Sequence, residues 1–219
     1  FDFSSLLIYI LFIFNEYIYN NKMLPIKETF LSVQGEGYYA GTSSFFIRTQ
    51  GCDIGCHWCD EPNSWDLNTG TSISVDYLLS KAKRNNIKNI IFTGGEPLMH
   101  DLTEISNRLS KEGFTLHLET SGAYPISGKW DWITLSPKKI RPPLPEIYQY
   151  ASELKIIIYN KHDFKWAVEE AGKVSESCLL YLQPEWTKKT VMQPLILDFL
   201  SKQNKWKLSL QMHKYLNIK

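Results

Sequence analysis

The chain has little cysteine, four residues in 219, and three of the four fall within eight positions. That scarcity excludes the disulfide framework of a small secreted domain and points to a reducing compartment, the cytoplasm. It also lacks an excess of charge of either sign, with 24 Lys and Arg against 23 Asp and Glu. Without a basic stripe, nucleic acid is not an expected partner. The apolar run at residues 6–14 (LLIYILFIF) is too short to span a bilayer. Asp2 stands where a basic n-region would be, and no small-residue cleavage site follows, so neither a signal peptide nor a membrane span is expected. No internal repeat and no low-complexity segment occurs. What remains is ordinary globular composition, long enough for one substantial core.

The stretch around which the rest is organised is GCDIGCHWCD at residues 51–60. Its spacing, C-x3-C-x2-C over Cys52, Cys56 and Cys59, offers three thiolates. Three such ligands hold three irons of a cubane and leave the fourth iron open, whereas ferredoxin clusters and structural zinc sites usually close with a fourth protein ligand. This three-plus-open pattern resembles the radical S-adenosylmethionine (SAM) superfamily. The alternative is a zinc loop with His57 as fourth ligand, or simply buried free thiols.

Residues 1–22 are expected to be an upstream or non-native extension, because a family-like pattern opens at Met23; a genuine membrane-associating or partner-binding arm is the alternative. Residues 23–219 are expected to form one domain. Strands are predicted at 44–50 (SFFIRTQ, the first), 89–93, 114–119, 132–135, 153–159, 179–183 and 207–211. Helices are predicted at 74–84, with Ser74 as N-cap, and at 101–111, 163–172 and 194–203. Three prolines make 139–150 a connector. This alternation predicts an α/β fold, a parallel sheet with helices outside, curled into a full or partial barrel. The cysteine loop, Gly94-Gly95-Glu96-Pro97, Glu119-Thr120-Ser121 and Ser136-Pro137-Lys138 each follow the carboxyl end of a predicted strand, the edge where such sheets bind ligands.

GGEP offers close backbone approach to a ligand, since glycine has no Cβ; an ordinary glycine turn is the bland alternative. The polar turns at 119–121 and 136–138 are weak signals alone. In Ser32-Val33-Gln34-Gly35-Glu36-Gly37 the Gln and Glu offer donors and acceptors to a heterocycle edge. Arg48 lies in an apolar strand and needs a carboxylate, either on a ligand or from an Asp or Glu of the chain. Cys178 precedes a buried strand and reads as a structural thiol.

Taken in order, VQGEG, FIRTQGC, CDIGCHWCD-x4-W, TGGEP, LETSG, LSPK, YLQPEW and LSLQMHKYLNI closely resemble the 7-carboxy-7-deazaguanine synthase family over residues 24–218. The resemblance implies a single-domain, (β/α)6-type partial radical SAM barrel, in full or abbreviated form. It implies conversion of 6-carboxy-5,6,7,8-tetrahydropterin to 7-carboxy-7-deazaguanine with loss of ammonia, a carbon–nitrogen lyase step toward queuosine and related 7-deazapurines. It further implies that a reduced cluster would cleave SAM, that the resulting radical would take hydrogen from C6 of the pterin, and that SAM would be regenerated. By position, Cys52, Cys56 and Cys59 would hold a [4Fe-4S] cluster. Gly94, Gly95, Glu96, Glu119, Ser121, Ser136, Pro137 and Lys138 would contact SAM. Val33, Gln34, Gly35, Glu36, Arg48, Thr93 and His213 would contact substrate, although a lone His near a C-terminus is commonly only solvated. A homodimer and an electron donor such as flavodoxin are implied as partners.

Two positions depart from the pattern. Many members carry Ser or Thr after CxxCD, and its hydroxyl ligates Mg²⁺; here Glu61 stands there, followed by Pro62. Either the carboxylate replaces the hydroxyl, as a hard oxygen ligand can, or Mg²⁺ is not used. The chain also ends at Lys219, close to where relatives carry a substrate contact. The rivals are a radical SAM activating enzyme acting on a partner protein, which leaves VQGEG unexplained, and a non-catalytic iron–sulfur or zinc protein.

Overall fold

The structure, a computed structural model, describes residues 22–219. Apart from Lys22, the expected N-terminal extension lies outside the described residues. Nine strands form one sheet in the order β3-β1-β2-β4-β5-β6-β7-β8-β9. From β2 (Ser43–Thr49) the neighbours β4 (Asn89–Gly94), β5 (Thr115–Thr120), β6 (Trp132–Leu135), β7 (Glu153–Ile158), β8 (Leu179–Pro184) and β9 (Trp206–Leu208) all run parallel. The sheet stays open, with β3 and β9 as its edges, which makes it a partial barrel.

Two strands were missing from the sequence reading. β1 (Met23–Val33) and β3 (Thr71–Ser74) pair antiparallel beside β2, so the sheet is mixed and Ser43–Thr49 is its second strand. β1 escaped notice because its pairing shifts between Ile26 and Glu28. That bulge breaks the alternation by which a strand is recognised.

Elsewhere alternation governs which residues go where. Phe45 and Ile47, Ile90 and Phe92, Leu116 and Leu118, and Leu154 and Ile156 join the apolar core. Burying a side chain such as Phe45 or Phe92 contributes about 2–3 kcal/mol. The alternate positions, among them Arg48, Thr93, Glu119, Thr134 and Lys155, line a cavity inside the barrel.

Four helices serve as crossovers: α1 (Val75–Arg84), α2 (Thr103–Lys111), α3 (His162–Ala171) and α4 (Lys189–Lys202). Ser74 caps α1 by accepting from the Tyr77 N–H (3.2 Å). The β5–β6 and β6–β7 connections carry no α-helix, the latter only a 3-10 turn at Pro145–Tyr150, so the barrel is indeed abbreviated. α4 starts five residues before the expected position, and Pro194 stands inside it. The last strand stops at Leu208, short of the expected Gln211, and a brief helix α5 (Met212–Leu216) follows.

Candidate active site

The carboxyl end of β2 leads straight into the cysteine loop, and the GGEP turn at the end of neighbouring β4 is pressed against it. Gly95 N–H donates to the Thr49 carbonyl (3.2 Å) and Glu96 N–H to the Gly51 carbonyl (2.8 Å). A Cβ on Gly95 would stand 2.1 Å from the Gly51 oxygen, and one on Gly94, at φ 131°, would stand 2.5 Å from Thr49 backbone atoms. Glycine is therefore required here because backbone meets backbone within the chain, a reason the sequence reading had assigned to a ligand. On the other side, the Gln50 amide gathers the returning segment by donating to Asn63 O (3.0 Å), Asp66 O (2.7 Å) and Thr69 Oγ1 (2.8 Å).

The three thiols of this loop are partly exposed. Cys59 Sγ accepts from the Glu61 N–H (3.4 Å) and from Trp65 Nε1–H (3.3 Å). Two donors therefore fix the direction in which this sulfur is presented. Burial pushes the Cys52 thiol up to about 11 and raises that of Cys56, so metal binding there would release protons. Among the described residues no three His, Cys, Asp or Glu side chains converge closely enough to share one ion. The donor set fits an iron–sulfur cluster.

Glu96 is almost fully buried and its carboxylate is fully engaged. It accepts from Thr120 Oγ1 (2.5 Å), Ser121 N (2.8 Å), Ser121 Oγ (2.5 Å) and Leu98 N (3.1 Å). It thus ties the end of β4 to the end of β5. At the end of β6, Lys138 Nζ donates to Ser136 Oγ (2.8 Å) and stands 5.5 Å above the Trp58 ring; burial lowers its pKa.

The barrel interior is polar. Glu119 accepts from Gln34 Nε2 (2.8 Å) and Thr93 Oγ1 (2.7 Å), so it sits among the residues expected to meet substrate. Lys155 pairs with Glu36. Burial works against both charges, but their mutual attraction outweighs it, lowering Glu36 to about 2 and raising Lys155. Glu153, buried beside them, accepts from Tyr38 N (2.9 Å) and Thr134 Oγ1 (2.9 Å), and burial raises its pKa. Arg48 does have an internal partner: its Nε donates to Glu28 Oε1 (3.1 Å), a carboxylate shared with Lys219. No other hydrogen bond of its guanidinium occurs among the described residues. His213 packs against Gly35, where a Cβ would lie 2.3 Å from its Nδ1.

One cavity of about 460 Å³ joins all of this. The cysteines, Glu61, Gly94, Gly95, Glu96, Glu119, Ser121, Ser136, Lys138, Val33, Gln34, Gly35, Glu36, Arg48, Thr93 and His213 line it. Pro137 alone of the expected site residues lines a smaller neighbouring pocket instead. Lys155, Glu28 and Lys214 also face the cavity and escaped the sequence reading. Lys155 did leave a signal, since Glu153 and Lys155 place two charges on one face of an otherwise apolar strand.

A family model of the Radical SAM superfamily matches residues 46–173. A 7-carboxy-7-deazaguanine synthase of Flavobacterium psychrophilum is 51% identical over 197 residues, covering 90% of this chain and 93% of that protein. One from a Synechocystis species is 47% identical, covering 89% and 93%. The crystal structure of QueE from Escherichia coli superposes with a TM-score of 0.81 at 29% identity, covering 91% of this chain and 98% of that one. Fold and relatives agree, and the chain belongs to the 7-carboxy-7-deazaguanine synthase family of the radical SAM superfamily.

Proposed function

We propose that the chain contracts the ring of 6-carboxy-5,6,7,8-tetrahydropterin to 7-carboxy-7-deazaguanine with loss of ammonia, feeding 7-deazapurine formation of the queuosine type. The observation that carries this reading is the single cavity running from the cysteine thiols to the Gln34–Glu119–Thr93 network. Cys52, Cys56 and Cys59 would hold a [4Fe-4S] cluster, and that cluster with SAM would supply one-electron reduction and a hydrogen-abstracting carbon radical.

The protein's own work is orientation and exclusion of water. Gly94, Gly95, Ser121, Ser136 and Lys138 line the cavity together with the thiols and are assigned to the SAM side. Glu96 acts there by fixing the turn at Ser121. Val33 to Glu36, Thr93, Arg48 and His213 form the substrate side, and Glu119 is assigned to it as well. With Nε held by Glu28, Arg48 keeps its terminal N–H groups for the substrate carboxylate. The Glu61 side chain has no hydrogen-bond partner among the described residues and faces the same cavity, a hard oxygen donor suited to Mg²⁺. A flavodoxin-type electron donor, a homodimer and a cytoplasmic setting complete the reading. Among the described residues no helix is long and apolar enough to cross a membrane.

The test is an anaerobic assay of reconstituted protein with SAM, dithionite and the tetrahydropterin, with and without Mg²⁺, following product by mass. Carboxydeazaguanine is the expected product, and a fall in rate on Mg²⁺ removal would assign Glu61 to the cation. Cleavage of SAM without a deazapurine would overturn the substrate assignment, and zinc in place of iron would overturn the site.

A further inference from the structure

The cavity has two sides, formed by loops that leave opposite ends of the paired strands β1 and β2. The substrate side includes the loop after β1, which carries Glu36; the other side is the cysteine loop, which ends at Asp60 directly after Cys59. One buried amide joins them. Gln211, just before α5, donates through Nε2 to Glu36 Oε1 (3.0 Å) and to Asp60 Oδ2 (2.7 Å). A primary amide carries two N–H donors, so one side chain satisfies both carboxylates without adding charge.

Neither carboxylate needs Gln211 for neutralisation. Glu36 has Lys155, and Asp60 has Lys214. What Gln211 adds is a fixed separation. The segment that carries it is anchored to the substrate side, since Met212 N–H donates to the Gly35 carbonyl (3.0 Å) and His213 fills the space above Gly35. From that anchor Gln211 reaches across to the cysteine loop.

We infer that Gln211 is a positioning residue, setting the distance between the substrate loop and the cluster loop so that the hydrogen to be abstracted lies against the radical source. The inference rests on the reaction proposed above. Transfer between reacting atoms demands contact near 3–3.5 Å, and a displacement of about 1 Å costs on the order of a hundredfold. A loosened register therefore shows as SAM cleaved without product.

The experiment compares the reconstituted wild type with Gln211→Leu, which keeps bulk and removes both donors, and Gln211→Lys, which keeps donors. Asp60→Ala severs the same link from its exposed end, Lys214→Met serving as the control for the ion pair lost with it, and it stands in if Gln211→Leu does not fold. The expected result is a ratio of 5′-deoxyadenosine to deazapurine raised roughly ten- to a hundredfold in Gln211→Leu and Asp60→Ala, with partial recovery in Gln211→Lys. A second readout is independent of turnover. Adding oxidised 6-carboxypterin without SAM is expected to slow amide exchange over residues 52–60 in the wild type, and this protection should be lost in Gln211→Leu. An unchanged ratio, or protection that persists in both severed variants, overturns the inference. A wild type that makes no deazapurine overturns the reaction instead, so the two failures are distinguishable.

Discussion

Replacing Glu96 with Gln removes one charge and exchanges one oxygen for an NH2, and the surroundings leave that NH2 nowhere to go. Oε1 accepts the backbone N–H of Leu98, and Oε2 accepts the backbone N–H of Ser121. Hydroxyls at Thr120 and Ser121 can rotate to accept instead, but a backbone N–H cannot reverse. Either amide orientation therefore leaves one buried N–H facing another donor, at about 1–3 kcal/mol. The surviving hydrogen bonds also lose their charge assistance, which brings the sum to about 2–4 kcal/mol. For a domain of this size that lowers Tm by roughly 5–15 °C. Urea and thermal unfolding followed by circular dichroism under reducing conditions, on cluster-free protein, would measure it. A Gln variant within about 1 kcal/mol of wild type, but with weakened SAM binding, would refute the reasoning. It would mean that the carboxylate faces the ligand and does not brace the turn.

Four further outcomes follow from the same geometry. Glu36 is held at about 2 against its ordinary 4.5, so its contribution to stability is complete above pH 4.5 and is lost as pH falls through 2. That loss, about 3 kcal/mol, should appear in acid titration of unfolding free energy and shrink in Glu36→Gln. Lys155→Met strands Glu36 beside Glu119 and Glu153, which should cost about 3–5 kcal/mol at neutral pH, partly regained at pH 5 where Glu36, no longer depressed, takes up a proton. Gly95→Ala puts a methyl 2.1 Å from the Gly51 carbonyl; the cysteine loop must shift, and iron bound per chain on reconstitution should fall well below wild type. Tyr124→Phe removes a 2.6 Å hydrogen bond to Asp53, but at an exposed site where Arg141 also pairs with Asp53. Its effect on stability should stay under about 1 kcal/mol by denaturant melt.

The parallel half of the sheet was legible in the sequence because its strands are short apolar runs, four of which end in a distinctive glycine-rich, cysteine-bearing or polar turn. Ser74 announced α1, and the residues after β2, β4, β5 and β6 announced the binding edge. β1 was not legible, for the bulge after Ile26 places the apolar residues of its two halves out of phase. α4 was misread at its start because proline was taken as a boundary, whereas Pro194 sits in the second turn behind residues already helical.

The partner of Arg48 marks a deeper limit. Sequence chemistry establishes that a guanidinium in an apolar strand requires a carboxylate, but it cannot say whether chain or ligand supplies it, since both satisfy the same electrostatics. The register of β1 on β2 sets Glu28 opposite Arg48, and only a strand that had not been recognised could reveal that. Glu96 shows the converse. Its motif was readable as a ligand turn, yet its four acceptor contacts are all internal. Motif residues in such a site divide into those that touch the ligand and those that hold the former in place. Spacing along the chain does not separate the two, because both must occupy the same strand ends. Burial does: a carboxylate with every acceptor position filled from within the chain has none left to offer.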